Sequence, residues 1–219
     1  MNSPQTLFDT HLPPLAERVR PKTIDEFYGQ AHLVDEGKIL HRLTKQSATF
    51  SIIFWGPPGT GKTTLARMIA KSYQAKIREL SAVSSGVKDL REVITFAKSN
   101  REMGQKTILF IDEIHRFSKS QQDALLHAVE DGTITLFGAT TENPSFEVIS
   151  PLLSRCRVLT LKSLEKSHLQ NILNNVFDKD VILSKSSITI KDSEKDLLIY
   201  SSGGDARKML NTLEVATNL

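Results

Sequence analysis

Residues 50–64 read Phe-Ser-Ile-Ile-Phe-Trp-Gly-Pro-Pro-Gly-Thr-Gly-Lys-Thr-Thr. An apolar run, Phe50–Trp55, leads into Gly56-Pro57-Pro58-Gly59-Thr60-Gly61-Lys62-Thr63, which fits the pattern G-x-x-x-x-G-K-[ST]. A helical pattern opens at Thr64, so strand, glycine-rich turn and helix stand in the order the motif requires. Glycines let backbone N–H groups converge on phosphate oxygens, and the helix N-terminus adds a partial positive charge. Lys62 is placed to reach β- and γ-phosphates, and the Thr63 hydroxyl to ligate Mg²⁺. The segment from Gly56 to Thr64 is therefore the candidate nucleotide-binding loop, with ATP and Mg²⁺ as its expected ligands.

Working outward, Ile108-Leu109-Phe110-Ile111 runs into Asp112-Glu113, an apolar strand ending in adjacent carboxylates. Two negative charges at a buried strand end are costly unless a cation or a reaction uses them. Asp112 suits the Mg²⁺ hydration shell, and Glu113 suits a general base that takes a proton from water attacking the γ-phosphate.

Short apolar runs alternate with helical patterns from Phe50 on, which is the signature of a parallel α/β sheet. The expected strands are Phe50–Trp55, Ile77–Leu80, Thr107–Ile111, Ile134–Phe137 and Arg157–Leu161. Four of the five read as strands covered on both faces. Helices are expected from Thr63, over about Val87–Ser99 (Val87, Leu90, Ile94 and Ala97 on one face) and over about Ser120–Glu130 before the Asp131-Gly132 turn. After Leu161 strand signals stop. Leu169, Ile172, Leu173 and Val176, then Leu197, Leu198 and Tyr200, then Ala206, Met209, Leu210 and Leu213 mark about three helices. Residues 1–14 read as a flexible leader, 15–162 as the nucleotide-binding domain and 163–219 as a helical lid.

The chain has 219 residues, 39% hydrophobic and 24% charged, with a net charge of +3, an ordinary balance for a soluble globular protein. The mild positive charge permits a nucleic-acid partner without demanding one, and no basic groove interleaved with aromatics is evident. A single cysteine, Cys156, excludes an intrachain disulfide. No signal peptide is legible at the N-terminus, and no apolar run approaches the ~20 residues of a membrane span. A cytoplasmic, membrane-free location is expected.

The runs Gly-Pro-Pro-Gly-Thr-Gly-Lys-Thr-Thr and Ile-Asp-Glu-Ile-His-Arg resemble the AAA+ superfamily in its clamp-loader and RuvB-like branch. That resemblance implies a five-stranded parallel sheet of order 5-1-4-3-2 flanked by helices and followed by a small helical lid. It also implies roles for three more residues. Thr141, in Ala139-Thr140-Thr141, matches sensor 1, with Asn143 the alternative. Arg155, in Ser154-Arg155-Cys156, matches the arginine that reaches a neighbouring subunit's γ-phosphate. Arg207, in Gly204-Asp205-Ala206-Arg207, matches sensor 2. Each role has a physical rationale: a hydroxyl beside Glu113 can position water, and guanidinium groups stabilise charge developing on a transferring phosphoryl group. The stretch Arg18-Val19-Arg20-Pro21 with Phe27-Tyr28-Gly29-Gln30 resembles the adenine pocket of the branch. It offers Val19, Arg20, Gly29 and Gln30 to the base. Ser81 stands where the branch places a polar contact to the catalytic glutamate.

Within the branch, Gly138-Ala-Thr-Thr-Glu-Asn-Pro-Ser145, Pro14-Leu-Ala-Glu-Arg-Val-Arg-Pro21 and Ser84-Ser-Gly-Val-Lys88 resemble the replication-associated recombination protein A family. The resemblance runs from about Leu15 to Leu219. It implies a nucleoid-associated bacterial ATPase acting on forked, gapped or single-stranded DNA, with single-strand-binding protein or a sliding clamp as partners. It further implies a C-terminal helical region that builds homo-oligomers beyond the lid; a chain ending at Leu219 is expected to be monomeric. A clamp-loader-type subunit, favoured by Ser-Arg-Cys, and a nucleotide-gated scaffold with little turnover are the competing readings. Pro4-Gln5-Thr6-Leu7-Phe8 loosely resembles a clamp-docking peptide, though an inert leader explains it as well.

Overall fold

Five of the apolar runs become the five strands of one parallel sheet: β1 (Ser51–Trp55), β2 (Lys76–Ser81), β3 (Thr107–Asp112), β4 (Thr135–Thr140) and β5 (Cys156–Thr160). In this computed structural model, residues 12–45, 49–186 and 188–217 are described. The clamp-peptide-like stretch at residues 4–8 lies outside them. Strand order is β2-β3-β4-β1-β5, the order 5-1-4-3-2 read from the other edge. Register pairs Phe54 with Ala139 and Ile111 with Gly138, so β4 lies between β1 and β3. Parallel pairing places the carboxyl ends of all three strands on one edge of the sheet, where ligands of open α/β sheets are held.

The central strands are the continuous apolar ones. Ile52, Ile53, Phe54, Ile108, Leu109, Ile111, Leu136 and Phe137 have no exposed surface. Burying side chains of this size stabilises the fold by roughly 1.5–3 kcal/mol each. Phe54 and Phe137 meet edge to face at 5.8 Å. Helix α4 (Lys62–Ser72) packs on β2, β3 and β4, and α5 (Val87–Glu102) on β2 and β3. Helices α6 (Lys119–Glu130) and α8 (Ser150–Leu153) add Leu125, Ala128 and Leu152 to a core with Leu90, Val93, Leu109 and Leu136. Short helices α2 (Ala31–Val34), α3 (Ile39–Lys45) and α7 (Pro144–Glu147) complete this part of the chain. Ser118 and Gln121 close a reciprocal capping box at the start of α6.

Three expectations are corrected. β5 is not covered on both faces: it is an edge strand, and only Leu159 of its five residues is buried, with Val158 40% exposed. On α5 the core stripe is Leu90, Val93 and Ala97, while Val87 at the first turn is exposed. In the helical region after β5, Leu197 and Tyr200 face solvent at 68% and 87% exposure, and Ile199 carries the buried contact instead.

The described residues fall into two contact units. The first comprises residues 12–30, 58–60 and 163–217; the second comprises 31–57 (with 46–48 undescribed) and 61–162. The first unit holds α1 (Leu15–Arg18), α9 (Lys166–Lys179), α10 (Asp192–Ser202) and α11 (Ala206–Thr217) around Leu15, Leu169, Leu173, Val176, Met209 and Leu213. Arg18 pins it. Its Nε donates to Asp180 Oδ2 at 2.6 Å and its Nη1 to Glu214 Oε1 at 2.9 Å, and the Asp180 side chain is fully buried. Among the described residues no helix is long and apolar enough to cross a membrane.

Burial opposes ionisation of Asp180. Hydrogen bonding and charge from Arg18, with the N–H groups of Leu183 and Ile182, outweigh burial and hold the carboxyl below its ordinary value. A depressed carboxyl contributes stability above its unfolded value and loses it as pH falls through the native one. Arg18→Leu is therefore expected to cost about 3 kcal/mol at neutral pH, because it strands a buried carboxylate. Thermal unfolding across pH should show that difference narrowing as acid protonates Asp180.

Candidate active site

The chain leaves β1 at Trp55 between two neighbours. Gly56 N donates to Thr140 O at 3.2 Å, and Leu161 N donates to Trp55 O at 2.7 Å. A Cβ on Gly56 would lie 2.4 Å from the Leu161 carbonyl oxygen, a backbone atom that cannot swing aside. Gly61 then takes φ +100 as the residue before α4, a left-handed turn suited to glycine. No side chain caps α4, whose N-terminus directly follows the loop. Lys62 is 7% exposed, and its Nζ donates to Gly56 O at 2.7 Å and Pro57 O at 2.8 Å. Its ammonium thus sits inside the loop. Thr63 follows half-buried, and Thr64 is buried.

Across the carboxyl edge, β3 ends at Asp112, whose backbone is in register with Ser81. Glu113 then adopts φ +53 and ψ +46, a left-handed conformation for a residue with a side chain, which costs about 1–2 kcal/mol. The turn continues with Arg116 N to Glu113 O at 2.8 Å and is anchored by fully buried Ile114. Glu113 Oε2 lies 3.2 Å from His115 Nδ1 and accepts from Thr141 Oγ1 at 3.5 Å. Of the two hydroxyl and amide candidates after β4, Thr141 is the one that approaches Glu113. Asn143 Oδ1 accepts from Ser145 N at 3.0 Å and caps α7. Ser81 makes no hydrogen bond to Glu113 among the described residues; the side chains that approach Glu113 are His115 and Thr141. His115 lies within Asp112-Glu113-Ile114-His115-Arg116, and a histidine in a turn has no sequence signature until its ring partners are known.

Arg155 lies between α8 and β5, exposed at 41% of its side chain. It pairs with Glu130 Oε1 at 2.5 Å and donates to Pro151 O at 2.7 Å and Ser154 Oγ at 3.2 Å. Beside it, burial pushes the Cys156 thiol up to about 12. Lys62, Thr63, Thr64, Gly56, Pro57, Gly61, Asp112, Glu113, Thr141 and Arg155 all belong to the second unit.

The remaining candidates belong to the first unit. Arg207 is the second residue of α11 and exposed. Asp205 Oδ1 accepts from Lys208 N at 3.0 Å. A Cβ on Gly59, from the tip Pro58–Thr60, would come within 1.8 Å of that same Oδ1. Val19 packs against the helical core, and Arg20 Nε donates to Glu17 Oε2 at 3.0 Å. Gly29 and Gln30 form a turn with φ of +81 and +60, and Asn175 bonds the Tyr28 hydroxyl. A Cβ on Gly29 would meet Leu164 Cδ2 at 2.7 Å.

The oxygen donors offered to a metal are the Thr63 hydroxyl and the Asp112 carboxylate. Hard oxygen ligands, few in number, fit Mg²⁺, which keeps several waters and relies on one or two carboxylates plus phosphates. Among the described residues no cluster of three or more acidic, histidine or cysteine side chains forms a self-sufficient metal cage.

Residues 52–164 match the model of the ATPase family associated with various cellular activities (AAA). The chain is 49% identical over 212 residues to replication-associated recombination protein A of Escherichia coli (strain K12), covering 96% of this chain and 47% of that protein. It is 48% identical over 207 residues to the protein of the same name from Haemophilus influenzae, covering 94% and 46%. Among solved structures, the Thermotoga maritima RuvB Holliday junction branch migration motor superposes with a TM-score of 0.70 at 30% identity, covering 90% of this chain and 64% of that one. The chain spans about half the length of the curated relatives it matches.

The close approach at Gly56 gives a direct test. Gly56→Ala must displace either the loop or Leu161, and overpacking of this kind costs about 1–3 kcal/mol. Nucleotide affinity, measured by titration calorimetry, is expected to fall roughly 10–100-fold, with the sheet still folded by circular dichroism.

Proposed function

Since the chain belongs to the family of ATPases associated with various cellular activities, we propose that it hydrolyses ATP to ADP and phosphate in replication-linked recombination and repair on DNA. One observation carries the hydrolytic part. The first residue of the loop is bonded to Thr140, and the next residue, Thr141, is the one that reaches Glu113. Gly56 and Glu113 thus meet consecutive residues at the carboxyl end of β4, which supports the reading.

In this reading Lys62 moves its ammonium from the carbonyls of Gly56 and Pro57 to the β- and γ-phosphates, and the N–H groups of residues 56–64 hold the remaining oxygens. Thr63 and Asp112 would hold Mg²⁺, which when bound would supply positive charge against the phosphates. Glu113 accepts a proton from water as that water's oxygen attacks the γ-phosphorus, and the bond to the β-phosphate oxygen breaks to release ADP. Thr141 orients the water. Val19, Arg20, Gly29 and Gln30 contact the base, and Arg207 contacts the phosphates from the lid. We assign residues 15–162 to the ATPase domain and 163–219 to the lid.

Arg155 acts on the site of a neighbouring copy. Its side chain is exposed, and its carboxylate partner Glu130 is an exposed-edge contact of the kind that a bound phosphate can displace. The intact protein is thus a homo-oligomer of the cytoplasm, working on forked, gapped or single-stranded DNA. The names of the curated relatives and of the RuvB structure support the DNA-linked part of this reading.

Glu113→Gln in the intact protein is expected to bind ATP normally and to hydrolyse it about 10²–10⁴-fold more slowly, since an amide cannot take the proton. Arg155→Ala should lower turnover by up to roughly 10³–10⁵-fold where subunits associate, with nucleotide affinity nearly unchanged. Steady-state turnover against protein concentration, over a panel of DNA structures, tests both. Wild-type turnover by Glu113→Gln removes the general-base assignment, and no stimulation by any DNA structure removes the DNA-linked one.

A further inference from the structure

Glu113 is held by a short chain of contacts that ends in the backbone after β4. Thr140 has no exposed surface. Its Oγ1 accepts from Glu142 N at 3.0 Å and donates to Glu142 O at 3.2 Å, so the hydroxyl is locked by the turn that follows it. Its remaining lone pair faces His115 Nδ1 at 3.0 Å. That same nitrogen lies 3.2 Å from Glu113 Oε2, and the His115 side chain is only 8% exposed. The Thr140 hydroxyl can accept as well as donate, whereas a carboxylate only accepts, so the tautomer with its proton on Nδ1 suits both neighbours.

We propose that His115, anchored on Thr140, is a positioning residue that holds the Glu113 carboxylate in its working orientation. The inference rests on Glu113 being the general base. Two groups converge on one carboxylate oxygen: Thr141 Oγ1, which donates to it at 3.5 Å, and His115 Nδ1, which lies 3.2 Å away. The other oxygen, Oε1, makes no hydrogen bond among the described residues and is the one left to take a proton. A backbone at φ +53 makes external support necessary, because a side chain in that conformation gains nothing locally from staying there. The arrangement repeats the general logic of a base oriented by a second group and that group by a third. It also links the carboxylate to the residue whose carbonyl accepts from Gly56 N.

The test is steady-state ATP turnover and nucleotide affinity of the intact protein carrying His115→Leu, His115→Asn, His115→Gln and Thr140→Val, with Glu113→Gln as reference. His115→Leu is expected to lower kcat roughly 10–100-fold, the range seen when a group orienting a functional side chain is removed, with nucleotide affinity within about twofold of wild type. Asparagine places its amide N–H near the position of Nδ1 and should restore most of kcat; glutamine places it near Nε2 and should not. Thr140→Val keeps the carbonyl that binds Gly56 and loses only the anchor, so kcat should fall while affinity holds. In the Glu113→Gln background His115→Leu should change nothing further. Wild-type kcat in His115→Leu beside an impaired Glu113→Gln overturns the positioning role and leaves the hydrolytic reading standing. Full turnover by Glu113→Gln overturns that reading itself. Equal losses of kcat, affinity and melting temperature in His115→Leu mean a merely structural histidine. If the leucine variant does not fold, equal kcat values for the asparagine and glutamine variants overturn the proposal.

Discussion

The hydrogen bond from Gly56 N to Thr140 O, 3.2 Å long, joins the two halves of the proposed site. It exists because β1 and β4 are parallel neighbours in register, with Trp55 opposite Thr140. A parallel sheet brings strand ends to one edge but does not by itself set their heights. Here the heights are set by buried apolar pairs, Ile53 with Gly138 and Phe54 with Ala139, all without exposed surface or close to it. A one-residue slip would turn every side chain to the opposite face and cost several buried contacts at once. The register that fills the core is thus also the register that aligns the proposed phosphate loop with Glu113.

Stability and strain are distributed unevenly around that edge. The central strands are buried along nearly their whole length, whereas β2 and β5 at the edges are largely exposed. The conformations that cost free energy, a left-handed Glu113 and a glycine-only approach at Gly56, lie where the buried strands stop. Strain of this kind persists only where surrounding contacts over-determine it, and Ile114 beneath the turn with Thr140 beside it supply those contacts. In the helical unit a different device serves: one arginine, Arg18, ties α1 to the end of α9 and to α11 through two carboxylates.

Much of this was legible in the residues themselves. The run from Phe50 to Thr64 announces strand, turn and helix because apolar β-formers, glycines and a helical pattern follow one another without conflict. The carboxylates at Asp112 and Glu113 were legible because charge at the end of an apolar strand is costly. Strand order came from resemblance and matches the observed sheet; no local pattern encodes which strand lies beside which. What remained hidden depends on tertiary neighbours. Val158 and Leu197 are apolar yet exposed, since periodicity reports a stripe and not what covers it. Arg18 stands in a stretch that resembles an adenine pocket, and nothing local shows that Asp180, far along the chain, closes on it. His115 and Thr140 acquire meaning only from distances of 3.0 and 3.2 Å that no spacing in the chain reveals.

The central claim is that one sheet edge presents a phosphate loop and a base to the same nucleotide. The most direct measurement is a structure of the intact protein with Mg²⁺ and a non-hydrolysable ATP analogue. The account predicts Lys62 Nζ on the β- and γ-phosphate oxygens in place of the carbonyls of Gly56 and Pro57. It predicts Glu113 Oε1 within hydrogen-bonding distance of a water in line with the γ-phosphorus. A bound analogue with Lys62 still on those carbonyls, or with Glu113 turned away from the γ-phosphate, would contradict it.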